Sequence, residues 1–285
     1  MPNYHIIECP RDAMQGWPQH IPTASKVAYI NALLQVGFHT IDFGSFVSAK
    51  AIPQLADTAL VLQQLTLQHT TTKLLAIVAN TRGAQDAVQK SAISYLGYPL
   101  SVSPTFQQRN TNSTIPQALS TIAAIQELCV LHGKLLVVYL SMAFGNPYGD
   151  AYNADLLQAY TAPLQALGIS IISLADTVGV ATPTQISTAL NALIPAYPTI
   201  QFGVHLHTTP QYKQAKLQAA IASGCTRIDG ALGGIGGCPM ATTELVGNMD
   251  TNDIINHLAQ CATPPTLNLT ALAQANALAQ SIFTS

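Results

Sequence analysis

The stretch Phe202-Gly203-Val204-His205-Leu206-His207, followed by Thr208-Thr209-Pro210, decides how the rest of the chain is read. Successive side chains of a strand alternate faces, so His205 and His207 share one side and Leu206 takes the other. Two imidazoles at that spacing can close on one metal ion. A His pair that merely fills polar space in a sheet is the plainer alternative. Thr209 suits a helix cap and Pro210 a first helical position, so the stretch predicts a strand running straight into a helix, with the pair at the strand's carboxyl end. In a parallel α/β architecture that is where active sites are built.

Working outward, the same unit repeats along the chain. Short β-branched and apolar runs predict strands at 4–9, 40–43, 74–79, 95–102, 135–140, 169–174, 201–207 and 227–231. Stretches of helical period predict helices at 23–36, 52–68, 82–91, 115–132, 155–167, 182–193 and 210–222. One helix start is well marked: Thr182-Pro183-Thr184-Gln185 offers a cap, a proline at the first helical position and a capping-box glutamine. The start near Arg82 is weakly signalled. Eight strands alternating with helices predict an α/β fold of the (β/α)8 TIM-barrel type, and an open doubly wound sheet would need fewer strands in series. Further helices at 251–260 and 269–283 extend the outer ring, and no linker or repeat divides residues 1–285, which read as a single catalytic domain.

Composition narrows the function. The chain is 48% hydrophobic, enough for a sizeable core, and only 8% charged, so Gln, Asn, Thr and Ser must solvate most of its surface. A net charge of −2 offers no electrostatic case for nucleic acid or an anionic membrane. No apolar run approaches the roughly 18 residues of a membrane span, and Met1-Pro2-Asn3-Tyr4-His5 lacks a signal-peptide pattern, so a cytoplasmic protein is expected. The five cysteines are odd in number and form no Cys-X-X-Cys pair, which argues for reduced thiols and against a zinc ribbon. Cys129, Cys225 and Cys261 are expected to be buried packing residues.

With charges so scarce, their placement is informative. Glu8, Arg11, Asp12 and Gln15 follow the first predicted strand, Asp42, Ser45 and Lys50 the second, Asp176 and Thr177 the sixth, and the His pair ends the seventh. Any one of them is explained as a cap or turn residue, Asp176 especially, but the set gathers where a barrel keeps its chemistry. The eighth strand leads into Gly233-Gly234-Ile235-Gly236-Gly237-Cys238-Pro239, then Gly247-Asn248. Four glycines in five residues, Gly233, Gly234, Gly236 and Gly237, predict a flexible loop or one that lets backbone approach a ligand closely. No Lys-Ser/Thr pair follows, so it is no Walker-type phosphate loop. A thiol at the tip of such a loop is reachable, and Cys238 is read as functional.

These residues carry a resemblance. Pro10-Arg11-Asp12-Ala13-Met14-Gln15, Ser45-Phe46-Val47-Ser48-Ala49-Lys50, Asp176-Thr177-Val178-Gly179-Val180-Ala181-Thr182-Pro183 and Gly236-Gly237-Cys238-Pro239 resemble motifs of the hydroxymethylglutaryl-CoA lyase family. That family belongs to a metal-dependent superfamily of TIM barrels that includes isopropylmalate and homocitrate synthases, and the cysteine loop is its most specific mark. The resemblance implies metal ligation by Asp12, His205, His207 and Asn248, enolate stabilisation by Arg11 and proton transfer through Cys238. One carboxylate, two imidazoles and an amide oxygen suit Mg²⁺ or Mn²⁺ better than Zn²⁺. Asp42, Asp176 and His205 are the candidates for the base, and Gln15, Lys50 and Thr177 for contacts to an acyl-CoA substrate. A homodimer is expected from the family alone.

The activity implied is cleavage of 3-hydroxy-3-methylglutaryl-CoA to acetyl-CoA and acetoacetate. The same chemistry on another 3-hydroxyacyl-CoA, the condensation direction, or a barrel that only binds acyl-CoA or metal are the alternatives. Three departures from the family stand out: Asp42 replaces a glutamate, Thr208-Thr209-Pro210-Gln211 replaces Asp-Thr-Tyr-Gly, and the span from Cys238 to Asn248 is one residue longer.

Overall fold

In the computed structural model, which describes residues 3–237, 246–261 and 265–284, eight parallel strands close into a barrel in sequence order. They are β1 (His5–Glu8), β2 (Thr40–Ser45), β3 (Lys73–Ile77), β4 (Ile93–Ser101), β5 (Leu135–Ser141), β6 (Ile171–Asp176), β7 (Gln201–Leu206) and β8 (Arg227–Gly230). Every run predicted as a strand contributes one, and the pairing of β1 with β8 closes the ring. The helices are α1 (Pro10–Gln15), α2 (Thr23–Leu34), α3 (Thr58–Gln63), α4 (Thr81–Val88), α5 (Pro104–Thr111), α6 (Ile115–Leu131), α7 (Ala154–Ala166), α8 (Pro183–Ala196), α9 (Lys213–Ala222), α10 (Thr251–Cys261) and α11 (Leu269–Phe283).

Most apolar side chains pack between the strands and this outer ring, where each fully buried Leu, Ile or Phe contributes about 2 kcal/mol. A smaller cluster of Leu75, Val137, Tyr139 and Ile171 fills part of the barrel interior. Thr182 and Gln185 form the predicted capping box of α8, and Thr114 with Gln117 forms another at α6. The weakly marked α4 is started by Asn80, whose side chain accepts the Gly83 N–H. Helix α11 packs on α2, with Phe283 edge-on to Trp17 and Tyr29. Among the described residues no single helix is long and apolar enough to cross a membrane.

Local structure corrects three expectations. Pro210 does not open a helix: α9 begins at Lys213 without a side-chain cap, and Thr208 donates its N–H to Gly247 O instead (3.0 Å), which ties the β7 loop to the segment carrying Asn248. The helix expected over 52–68 splits into a 3-10 turn at Pro53–Leu55 and the short α3. At the split, Asp57 binds Lys26 (2.7 Å) and Thr23 (2.7 Å), while Thr58 Oγ1 donates to Leu55 O and accepts the Ser45 N–H. Helices α1 and α5 add to the predicted set; Ser103-Pro104 is a regular helix start, and Ser103 accepts the Phe106 N–H.

Candidate metal centre and active site

Asp12, His205 and His207 converge at the carboxyl end of the barrel, their ligand atoms all within 4.8 Å of one another. Asp12 comes from α1, placed directly above β1, and the histidines from adjacent inward positions at the end of β7. His205 Nδ1 lies 3.2 Å from Asp229 Oδ2, and His207 Nδ1 lies 2.7 Å from Val246 O. Both rings are thereby oriented through one nitrogen, so that Nε2 is the one that could hold a cation; His205 Nε2 stands 4.0 Å from Asp12 Oδ2. Asn248 donates its amide N–H groups to Asp12 Oδ2 (2.7 Å) and Ile235 O (2.8 Å), which sets its side chain beside the carboxylate. This donor set fits a divalent cation, with two imidazoles, a carboxylate and an adjacent amide.

Electrostatics support that arrangement. Burial by itself would raise Asp12, but Arg11, both imidazoles and the Asn248 amide outweigh it and hold the carboxyl well below the usual range. Burial lowers His207, and the neighbouring His205 adds to that, so it is a neutral imidazole ready to ligate. Asp42 behaves oppositely: burial, with Asp12 and Asp229 nearby, pushes it up to about 6 although Arg11 binds it. Arg11 donates from Nε (2.9 Å) and Nη2 (2.6 Å) to Asp42 Oδ2, and from Nη1 to Asp12 Oδ1 and Gln15 Oε1 (both 2.9 Å). The guanidinium is therefore fixed before any ligand arrives.

A cavity of about 250 Å³ opens over these groups, with Arg11, Asp12, Gln15, His205 and His207 on its polar side. Its other walls are apolar, chiefly Val47, Ile52, Ile77, Pro99, Phe106 and Tyr139. A larger groove of about 600 Å³ lies among Lys73, Tyr95 and Lys134 at the opposite end, away from every residue of the metal centre. The smaller cavity is the one where a barrel places its chemistry.

The remaining predicted residues divide. Thr177 lines the cavity while its Oγ1 accepts the Met142 N–H (2.8 Å); Met142, a buried non-glycine residue at φ 59°, holds a left-handed backbone at the end of β5. Lys50 is exposed, in a turn beside the cavity residue Ala51. Asp176 is turned away from the cavity: Oδ2 binds the buried Lys216 (2.7 Å) and Oδ1 accepts the Ala181 N–H (3.0 Å), so as a base candidate it is replaced by a structural ion pair. The described part of the glycine loop is close-packed. At Gly236, φ is +103° and a Cβ would sit 2.6 Å from Asn248 Nδ2 and 2.8 Å from Asp12 O. Cys238 lies outside the described residues, as does the side chain of Cys261; Cys129 and Cys225 are buried.

Two residues that complete the centre escaped the sequence reading. Asp229 pairs in register with His205 and orients that ring through Nδ1; the polar alternation Arg227-Ile228-Asp229 is its signal in the sequence. Lys216 sits on the buried face of α9 with Leu217, Ala219 and Ala220, and its ammonium binds Asp176, Gly179 O (3.1 Å) and His207 O (2.7 Å).

Comparison with known proteins agrees with this geometry. The HMGL-like family profile matches residues 6–279. A hydroxymethylglutaryl-CoA lyase of Bacillus subtilis is 34% identical over 88% of this chain and 83% of its own. A Chloroflexus aurantiacus (R)-citramalyl-CoA lyase is 29% identical over 94% and 86%. The structure of an Acinetobacter baumannii HMG-CoA lyase in complex with coenzyme A and 3-methylmalate superposes with a TM-score of 0.91 at 31% identity, covering 99% of this chain and 92% of the other. With residues 6–279 matched by the family profile and a relative 34% identical over most of both chains, the chain belongs to the HMGL-like family of (β/α)8-barrel lyases.

Proposed function

We propose that this chain is a divalent-metal-dependent carbon–carbon lyase that cleaves 3-hydroxy-3-methylglutaryl-CoA to acetyl-CoA and acetoacetate. The convergence of Asp12, His205 and His207 beside Asn248 and Arg11, in a cavity at the barrel's carboxyl end, carries this reading. Relatives named for that activity support the choice of substrate.

Asp12, His205, His207 and Asn248 would hold a Mg²⁺ or Mn²⁺ ion, which supplies Lewis-acid stabilisation of oxygen charge. The reaction removes the proton of the 3-hydroxyl, turns its oxygen into the ketone of acetoacetate and leaves the electrons of the broken C–C bond on a thioester enolate. Arg11 faces the cavity and stabilises that developing oxyanion, an effect of about 3–4 kcal/mol for comparable donors. Because Asp42, Asp12 and Gln15 already fix the guanidinium, little reorganisation is needed as charge appears. Asp42 and His205 are the titratable base candidates beside Arg11 and Asp12, and Cys238 is assigned delivery of a proton to the enolate carbon. The apolar wall of Val47, Ile77 and Tyr139 receives the substrate's methyl group and excludes water.

The test is acetoacetate release from the thioester by metal-stripped protein, with and without added Mg²⁺ or Mn²⁺, beside Cys238→Ala. Metal-dependent turnover that collapses in the variant is expected. Turnover on citramalyl-CoA alone would move the assignment to the second acyl-CoA of the same reaction class, for which the Chloroflexus relative is named.

A further inference from the structure

Beneath the metal centre, Arg227 opens β8 and is the largest fully buried side chain among the described residues. Its stem lies across β7 at Gly203, where a Cβ would come within 3.0 Å of its Cγ and 3.1 Å of its Cδ. From there its guanidinium carbon reaches 5.8 Å from the ring centre of Tyr95 on β4, four strands away around the ring. The charge therefore sits near the barrel axis. The Tyr95 face offers a cation–π contact, but Nε, Nη1 and Nη2 find no hydrogen-bond acceptor among the described residues.

Other donors gather at the same level. Tyr139, Ser173, Gly203, Arg227 and His5 are consecutive partners in the strand register, and the hydroxyls of Tyr139 and Ser173 are buried and also without partners. On the amino-terminal side His5 and His39 stack at 3.6 Å, and burial together with the positive charge of Arg227 lowers the proton affinity of both. The nearest acid along β8, Asp229, stands one inward position higher; its Oδ2 engages His205, and its buried Oδ1 has no hydrogen bond to Arg227 or to any other described group. A guanidinium does not deprotonate in a protein, and an isolated buried cation is strongly unfavourable. We propose that the barrel interior holds a small monovalent anion, of the size of chloride or formate, bound by the Arg227 guanidinium with the hydroxyls of Ser173 and Tyr139. This site does not rest on the lyase reading; it lies beneath the substrate cavity, and Tyr139 borders both.

The test uses the full chain, stripped of divalent metal and dialysed into sodium gluconate, an anion too bulky for the barrel interior. Sodium chloride, bromide or formate is then titrated at constant ionic strength while the melting temperature is followed. A saturable rise is expected, reaching about 4 °C at a hundredfold excess over Kd, and lost in Arg227→Met and in Ser173→Val. Ser173→Val keeps the guanidinium and removes only a hydroxyl, so the proposal does not depend on Arg227→Met folding. One equivalent of chloride retained through dialysis, and released on denaturation of the unsubstituted chain but not of the variants, supports it equally. Equal, non-saturating responses to every salt with no chloride released would overturn it and assign hydration of Arg227 to water. A saturable response that survives both substitutions would place the anion elsewhere and overturn it as well.

Discussion

Replacing Glu8 with Gln should stabilise this protein, and by an amount that grows with pH. Glu8 ends β1 fully buried; its Oε1 accepts the Leu232 N–H (3.0 Å) and its Oε2 contacts Thr251 Oγ1. Burial pushes its carboxyl up to about 8 from an ordinary value near 4.5, against the opposing effect of those two bonds and with a small addition from Asp250. Between these two values the native state holds a proton that the unfolded chain has released. Stability attributable to Glu8 therefore falls as pH rises from 4.5 to 8. At about 1.4 kcal/mol per pH unit the loss is about 3 kcal/mol at pH 7 and levels off above pH 8 near 5 kcal/mol. A glutamine keeps the Leu232 bond through Oε1, offers Nε2 to Thr251 Oγ1 and has no proton to lose. Other titrating groups, Asp42 among them, are common to both proteins and cancel in the difference. Urea denaturation at pH 4, 6, 7 and 8 should show variant and parent alike at the lowest pH and diverging in the variant's favour above it. A difference that does not change with pH, or a variant less stable at pH 7, would refute the assignment of a protonated Glu8.

The metal centre yields three more expectations. Asp229→Asn weakens the orientation of His205 and should lower Mn²⁺ affinity by 10- to 100-fold in a calorimetric titration, with little change in melting temperature. Gly236→Ala places a methyl group against Asn248 and Asp12 at a left-handed φ, so the variant should lose about 1–3 kcal/mol of stability and bind metal more weakly; unchanged affinity would show that the loop yields without moving the ligands. Lys216→Met leaves the Asp176 carboxylate buried without its cation and should cost about 3–5 kcal/mol in chemical denaturation, with much of the loss recovered when Asp176→Asn is added.

The limits of the sequence reading trace to particular residues. Phe202–His207 alternates cleanly because β7 is a regular strand, so the facing of both histidines was legible from spacing alone. Pro210 misled because its fixed φ suits an exposed loop as well as a helix start, and the choice fell to the backbone bond from Thr208 to Gly247. Asp176 sat in a matching motif at the right strand end, yet its partner Lys216 lies 40 residues later and nothing local announces the pair. Asp229 and Arg227 are hidden similarly, since a polar residue in a short strand shows its neighbour only when the barrel closes.

What the sequence by itself determined is the eightfold alternation of strand and helix and the gathering of scarce charges, Asp12 and the two histidines among them, at strand ends; these follow from periodicity and placement, which are properties of the linear chain, while the ligand set with Asn248 is what the motif resemblance implies. The tertiary structure alone decided which acid serves which base. Arg11 with Asp42, His205 with Asp229 and Lys216 with Asp176 are pairings between elements distant in sequence, and Arg227 is left without a hydrogen-bond partner; barrel closure with its register chooses among partners that side-chain chemistry leaves equivalent.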